Sequence, residues 1–303
     1  MVRHMEHDLP KGTETLAGNG RGSATRELTS RPAGKPVRKD EIVIEERGLY
    51  VESWLPERRS RRRPLYYLHG ELGGSWLWER YLRYFAQRGW EGHALNLRAH
   101  FWSQTADIEE LSFDTYLEDA VAGFEALERP AVVVGHGLGG LLAMKVAEGR
   151  EIDALVLVSP AIPAPVRPVP PPHVVRLVPA VYQAELIDWA GSHEQVQRQN
   201  PDLSLADVRR IQHLLGAESG AARRQMLAGV FVDRDRLPDV PMLVIGAGLD
   251  RQFAEADSAR LAEWMGAEYQ PFGAHSHYGA VLGEQGFDQV ADNIRSFLEH
   301  HRL

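Results

Sequence analysis

Apolar positions along this chain change period repeatedly, and each change marks an element. EIVIEE from Glu41 and LYVESWL from Leu49 are strand-length runs rich in β-branched and aromatic residues, and they read as a hairpin pair. The run RRSRRRP from Arg58 then reads as a charged turn. Beyond it, apolar strands alternate with amphipathic helices. PLYYLHG from Pro64 is followed by a helix through WLWERYLRYFAQRG, then the strand GHALNL, a helix from Ser112 through TYLEDAVAGFEAL, and the strand AVVVGHG. The helix LLAMKVAEG, the strand DALVLVS, the strand PMLVIGAG, the helix ARLAEWMG, the strand AEYQPF and a final helix from Phe287 to about Glu299 continue the series. Strict alternation of this kind predicts crossover units on a mostly parallel central sheet flanked by helices.

The alternation breaks between Ser159 and Leu237. Pro160, Pro163, Pro165, Pro168, Pro170, Pro171 and Pro172 forbid regular helix at its start, and helical patterns return only at 204–215 and 221–230. An insertion placed before the last strands is expected to form a helical lid over the sheet ends. Residues 1–38 carry almost no bulky apolar side chains and are expected to be disordered. The division expected is therefore 1–38 as that segment, 39–159 with 238–303 as the core, and 160–237 as the lid.

With 303 residues and 44% hydrophobic composition, the chain suits one large core with an insertion better than two equal domains. A net charge of -8 argues against nucleic acid and anionic membrane as partners, since both need a basic face. A small molecule is the expected partner. The arginine run at 58–63 is a candidate polyanion contact, weighed against an ordinary solvated loop. The absence of Cys excludes a disulfide framework, a thiolate nucleophile and cysteine-ligated metals. No stretch approaches the ~20 apolar residues of a membrane span and no apolar leader begins the chain, so the expectation is cytoplasmic.

The candidate chemistry lies at strand ends. AVVVGHGLGGLLAM is a buried strand, a glycine-rich sharp turn and a helix, the context of a nucleophile elbow G-x-S-x-G, but the segment reads Gly135, His136, Gly137, Leu138, Gly139. Downstream, GAGLD puts Asp250 just beyond a strand, and GAHSHYG puts His277 between the last strand and the last helix. Upstream, YYLHGELGGSW supplies a His-Gly turn after a strand, and NLRAH is similar to an Asp-x-Arg-Gly-His turn, with Asn96 and Ala99 as departures. With these landmarks in this order, residues from about 41 to 303 resemble the α/β-hydrolase superfamily.

That resemblance implies an α/β-hydrolase fold with Asp250 orienting His277 and with the amides of Glu71 and Leu138 donating to an oxyanion. It also places Gly137 where the family carries its nucleophile. Glycine has no hydroxyl, so no acyl-enzyme can form there, and the reaction implied is hydrolysis of a small ester, thioester or lactone by water that His277 deprotonates. His277 is preferred to His275 as the base; an alternating pair such as HSH can ligate a metal, but no acidic or histidine cluster of metal-ligand spacing accompanies it, and no metal and no cofactor are expected. His69 and His136 are expected to hydrogen-bond backbone. Trp76 and Trp78 are expected in core and lid packing, with Trp76 also a candidate substrate contact. Glu71, next to the His-Gly turn, is either a solvated carboxylate or a buried functional acid.

Two other classes remain open at this point. A non-catalytic receptor would bind a small ligand under the lid. GHGLGG also satisfies G-x-G-x-x-G between a strand and a helix, the fingerprint of a dinucleotide-binding oxidoreductase. The next strand, however, ends in Ser159 where an acidic residue would bind ribose.

Overall fold

The computed structural model of the protein describes residues 2–6, 35–166, 170 and 172–303. In chain order the elements are β1 (Val2–Glu6), β2 (Val37–Ile44), β3 (Leu49–Pro56), β4 (Leu65–Leu68), α1 (Glu79–Ala86), β5 (Gly92–Asn96), α2 (Phe113–Glu125), β6 (Val132–Gly137), α3 (Leu138–Gly149) and β7 (Ala154–Pro160). Next come α4 (Pro172–Arg176), β8 (Val181–Tyr182), α5 (His193–Gln199), α6 (Leu205–Leu214), β9 (Glu218–Ser219) and α7 (Gly220–Gly229). The chain closes with β10 (Met242–Ala247), α8 (Glu255–Met265), β11 (Glu268–Phe272), α9 (Gly279–Leu282) and α10 (Glu284–His300).

Among the described residues, nine strands form one sheet in the order β1-β2-β3-β5-β4-β6-β7-β10-β11. The first three pairings are antiparallel and those from β5 to β11 are parallel. The helices cover both faces of the parallel half, so β4, β6 and β7 are buried at every position and need continuous apolar runs. Val132, Val134, Val156 and Val158 face one core with Tyr81, Phe85, Val290 and Ile294, while Val133, Leu155 and Leu157 face the other with Tyr116, Leu141 and Leu261. Helix α2 starts where the sequence signals it, at a capping box in which Ser112 and Thr115 exchange hydrogen bonds.

The segment between β7 and β10 holds the two expected helices, α6 and α7, with Ser204 and Ser219 as N-caps. It also holds α4, α5 and the β8–β9 pair, which the sequence pattern did not signal. One part of 1–38 departs from the expectation of disorder: Val2–Glu6 pair with β2, and β2 itself begins at Val37. Residues 7–34 lie outside the described residues. The arginine run is engaged within the chain. Arg59 contacts Glu91 and Glu128, Arg63 contacts Asp153, and Arg62 lies 3.6 Å over the Trp90 ring, which leaves fewer cations for a polyanion than the sequence suggests.

Candidate active site

Strand β6 runs directly into α3, and Gly137 at the junction has φ 53° and ψ −124°. That conformation is strained for any residue with a Cβ. The neighbouring glycines answer a different need. A Cβ on Gly139 would stand 2.4 Å from the Leu68 carbonyl oxygen and 2.5 Å from that of His69, and one on Gly135 would meet the Gly139 carbonyl oxygen at 2.3 Å. These glycines pack α3 closely onto β6 and onto the end of β4.

His277 faces this turn. A Cβ built on Gly137 would lie 3.2 Å from His277 Nε2, and His277 Nδ1 is 2.8 Å from Asp250 Oδ2. Both side chains are buried, so the carboxylate accepts from Nδ1 in a poorly solvated place and leaves the Nε2 lone pair toward Gly137. Asp250 is fixed by a second duty: Oδ1 accepts the amides of Gln252 at 2.7 Å and Phe253 at 2.9 Å. It anchors its own turn and orients the imidazole at once. The His277 ring is packed between His136, at 4.1 Å between centroids, Tyr278 and Phe253. His136 donates from Nε2 to the His277 carbonyl oxygen at 3.1 Å, and burial followed by the nearness of His277 holds it well below its ordinary range. His275 points away, with Nε2 3.0 Å from Gln289 Oε1 and Nδ1 3.7 Å from Asp202 Oδ2.

The His-Gly turn after β4 closes the other side. Gly70 Cα would be 3.6 Å from a Cβ on Gly137. His69 donates from Nδ1 to the Gly70 carbonyl oxygen at 2.8 Å and accepts from the Leu97 amide at Nε2, which fixes its tautomer. Burial, and then the neighbouring His100, bring it down to about 3, so it is neutral. Leu138 opens α3, and its amide is among those without an intrahelical acceptor.

Glu71 departs from the first of the two expectations held for it. It is 4% exposed, so it is not a solvated carboxylate. Its buried carboxylate is paired: Arg223 from α7 donates to Oε1 at 2.7 Å and Tyr182 from β8 donates to the same oxygen. Tyr278 donates to the Glu71 carbonyl oxygen at 3.2 Å. Trp76 is 4% exposed and packs in the core with Trp78 and Tyr81, so it does not present a substrate platform. Tyr182, Arg223, Asp202 and Glu218, all from the segment between β7 and β10, were not singled out in the sequence. Isolated polar residues in short helices and a two-residue strand carry no motif.

Cavities divide clearly by position. One of about 10 Å³, room for about a single water, is lined by His277, Trp189, Gln199, Asn200 and Arg251. A second, of about 190 Å³, is lined by Arg223, Met226, Leu227 and Phe253, and shares Ile187, Asp188, Arg251 and Gln252 with the first. A third, of about 700 Å³, lies beside Asp40, Ser53, His93 and Pro64, at the entering end of β4 and β5 and away from the Gly137 turn. Chemistry at the carboxyl ends of parallel strands makes the smaller pair the relevant one. Among the described residues no cluster of three or more His, Cys, Asp or Glu could hold a metal ion, and no helix is long and apolar enough to cross a membrane.

The fold resembles several solved structures at low identity. The monoacylglycerol lipase of Paleococcus ferrophilus superposes with a TM-score of 0.64 at 18% identity, covering 83% of this chain and 99% of that one. A hydrolase from Pseudomonas aeruginosa PA01 gives 0.60 at 20% identity, covering 86% and 98%. The thioesterase domain from the curacin biosynthetic pathway gives 0.60 at 16% identity, covering 88% and 100%. No curated protein sequence matches the chain. The model of the alpha/beta hydrolase family matches residues 65–293, most of the chain, and with this sheet order beneath the Gly137 turn the protein belongs to that family.

Proposed function

We propose that the protein hydrolyses a small ester, thioester or lactone by direct attack of water, with Gly137 standing where its relatives carry the nucleophile and residues 160–237 acting as a lid. The observation that carries this is the His277–Asp250 pair at 2.8 Å, with Nε2 turned to a glycine that offers no hydroxyl. In the step envisaged, His277 Nε2 takes a proton from water as the water oxygen bonds to the carbonyl carbon. Asp250 stabilises the imidazolium, and the Glu71 and Leu138 amides donate to the oxyanion. Collapse of the tetrahedral adduct breaks the bond to the alkoxide or thiolate, which leaves with the proton from His277. The cavity beside His277 accommodates the water, and the adjoining one of about 190 Å³ suits a short acyl group.

A panel of short-chain esters, thioesters and lactones tests this, with His277→Gln as the control. Turnover that His277→Gln lowers by about 10² or more supports the base role. No turnover above buffer on any member refutes the enzyme reading. A receptor then becomes the better account, favoured by the tightness of the space around His277, and ligand-induced shifts in Tm would identify its class.

A further inference from the structure

We propose that Glu218 is a positioning residue for the turn at 70–73, which makes the segment between β7 and β10 part of the site's framework as well as its cover. The Glu218 side chain is 1% exposed, and an uncompensated carboxylate at such a place is strongly unfavourable. Four donors converge on it. Oε2 accepts the Leu72 amide at 3.0 Å and faces His100 Nε2 at 3.1 Å; Oε1 accepts the Tyr116 hydroxyl at 2.5 Å and the Ser219 amide at 2.8 Å. Three of these donors belong to the core and one to the segment that carries Glu218 itself.

The Leu72 contact decides the role. Leu72 is a fully buried leucine with φ 61°, a left-handed conformation that costs a residue with a Cβ about 1–2 kcal/mol. Such a conformation persists where surroundings hold it. Here most of the holding groups come from one segment: Glu218 takes the Leu72 amide, Gly216 donates its amide to the Leu72 carbonyl oxygen at 3.0 Å, and Arg223 and Tyr182 grip the preceding Glu71 side chain, while Tyr278 from the core donates to the Glu71 carbonyl oxygen. This inference rests on the proposed function, in which the Glu71 amide donates to the oxyanion. An oxyanion donor acts only when pre-aimed, and its neighbour's left-handed turn sets that aim. Glu218 touches neither substrate nor reacting atoms; it acts through Leu72.

The test pairs Glu218→Gln, which keeps the shape and removes the charge, with Glu218→Asp, which keeps the charge beside His100 and shortens the reach to Leu72. Two quantities are read well below Tm: amide exchange of a peptide covering 65–82, and kcat with KM on whichever ester the wild type hydrolyses. Both variants should raise exchange in that peptide by about tenfold and lower kcat by about tenfold, with KM within twofold of wild type, the signature of a lost transition-state interaction. A purely structural role would lower Tm and leave kcat unchanged at the lower temperature. Wild-type exchange in the peptide overturns the inference, and so does raised exchange with unchanged kcat. If the wild type turns over nothing, the proposed function has failed on its own terms; unchanged exchange would then also remove Glu218 from the turn, and raised exchange would keep it there.

Discussion

Replacing Gly137 by Ser tests the site most directly, because the structure fixes both what the change costs and what it should create. The cost comes from the backbone: φ 53° with ψ −124° is a region that side-chain-bearing residues occupy at about 1–3 kcal/mol. The new Cβ would also stand 3.2 Å from His277 Nε2 and 3.3 Å from Cε1, so the ring must yield by a few tenths of an ångström. Together these should lower Tm by roughly 2–10 °C. What is created is a hydroxyl in hydrogen-bond reach of an imidazole already oriented by Asp250. Loss of a triad nucleophile costs on the order of 10⁴ to 10⁶ in rate, so even a misaligned serine should raise ester hydrolysis by about 10² over the parent. The assay is intact-mass analysis after fluorophosphonate treatment: Gly137→Ser should take up one adduct and the parent none. Gly137→Ala carries the same strain without the hydroxyl and should stay unlabelled. A folded Gly137→Ser variant with neither adduct nor gain in hydrolysis would refute the claim that His277 and the two amides form a working site.

Further expectations follow from the buried charges. Asp250→Asn keeps an acceptor for Gln252 and Phe253 but mis-sets the His277 tautomer, so turnover should fall by about 10² to 10⁴, read as kcat; an unchanged kcat removes Asp250 from the mechanism. Arg223→Met leaves the buried Glu71 carboxylate without its cation and should cost about 3–5 kcal/mol, or roughly 6–15 °C in Tm. Adding Glu71→Gln to it should recover much of that loss, and a merely additive double variant would show that the pair is not coupled. The His100–Glu218 pair gives stability a pH dependence of defined sign. Burial opposes ionisation of Glu218, but the His100 charge and the donors around it outweigh burial and bring the carboxyl down to about 2 from its ordinary 4.5, so its contribution is lost as pH falls between those values. Burial likewise opposes protonation of His100, and the Glu218 charge outweighs it, raising His100 above 6.5; its contribution is complete below 6.5 and is lost as pH rises through the raised value. Urea midpoints should therefore decline on the alkaline side, and His100→Gln should flatten that decline; an identical alkaline slope in the variant would exclude the pair as its source.

Much of the candidate site was legible because its residues sit at strand ends, where local pattern and chain order carry information. Gly137 follows an unbroken apolar strand and precedes an apolar helix, so a sharp turn was readable from periodicity alone. Asp250 and His277 each follow a strand, and the parallel sheet brings those strand ends to one edge. Glu71 was read less well. Its neighbours in sequence give no sign of Arg223 or Tyr182, more than a hundred positions away, so a solvated carboxylate and a buried functional acid were the choices that the sequence offered. Helix α5 and the β8–β9 pair were missed for a related reason. Seven and two residues are too few for a period to declare itself, and those elements owe their existence to packing on the core.

The sequence by itself determined the layered α/β architecture, the order of the landmarks and the absence of a hydroxyl at the Gly137 turn, because each follows from residue type and short-range spacing. Only the tertiary structure decided why Gly139 must be glycine, since that depends on the carbonyl oxygens of Leu68 and His69 approaching from another strand. It alone also decided between His275 and His277, two residues apart, by which ring meets Asp250. The same holds for the partners of Glu71 and Glu218. A buried charge takes whatever opposite charge or donor the fold brings within about 3 Å, and separation along the chain places no limit on where that partner lies.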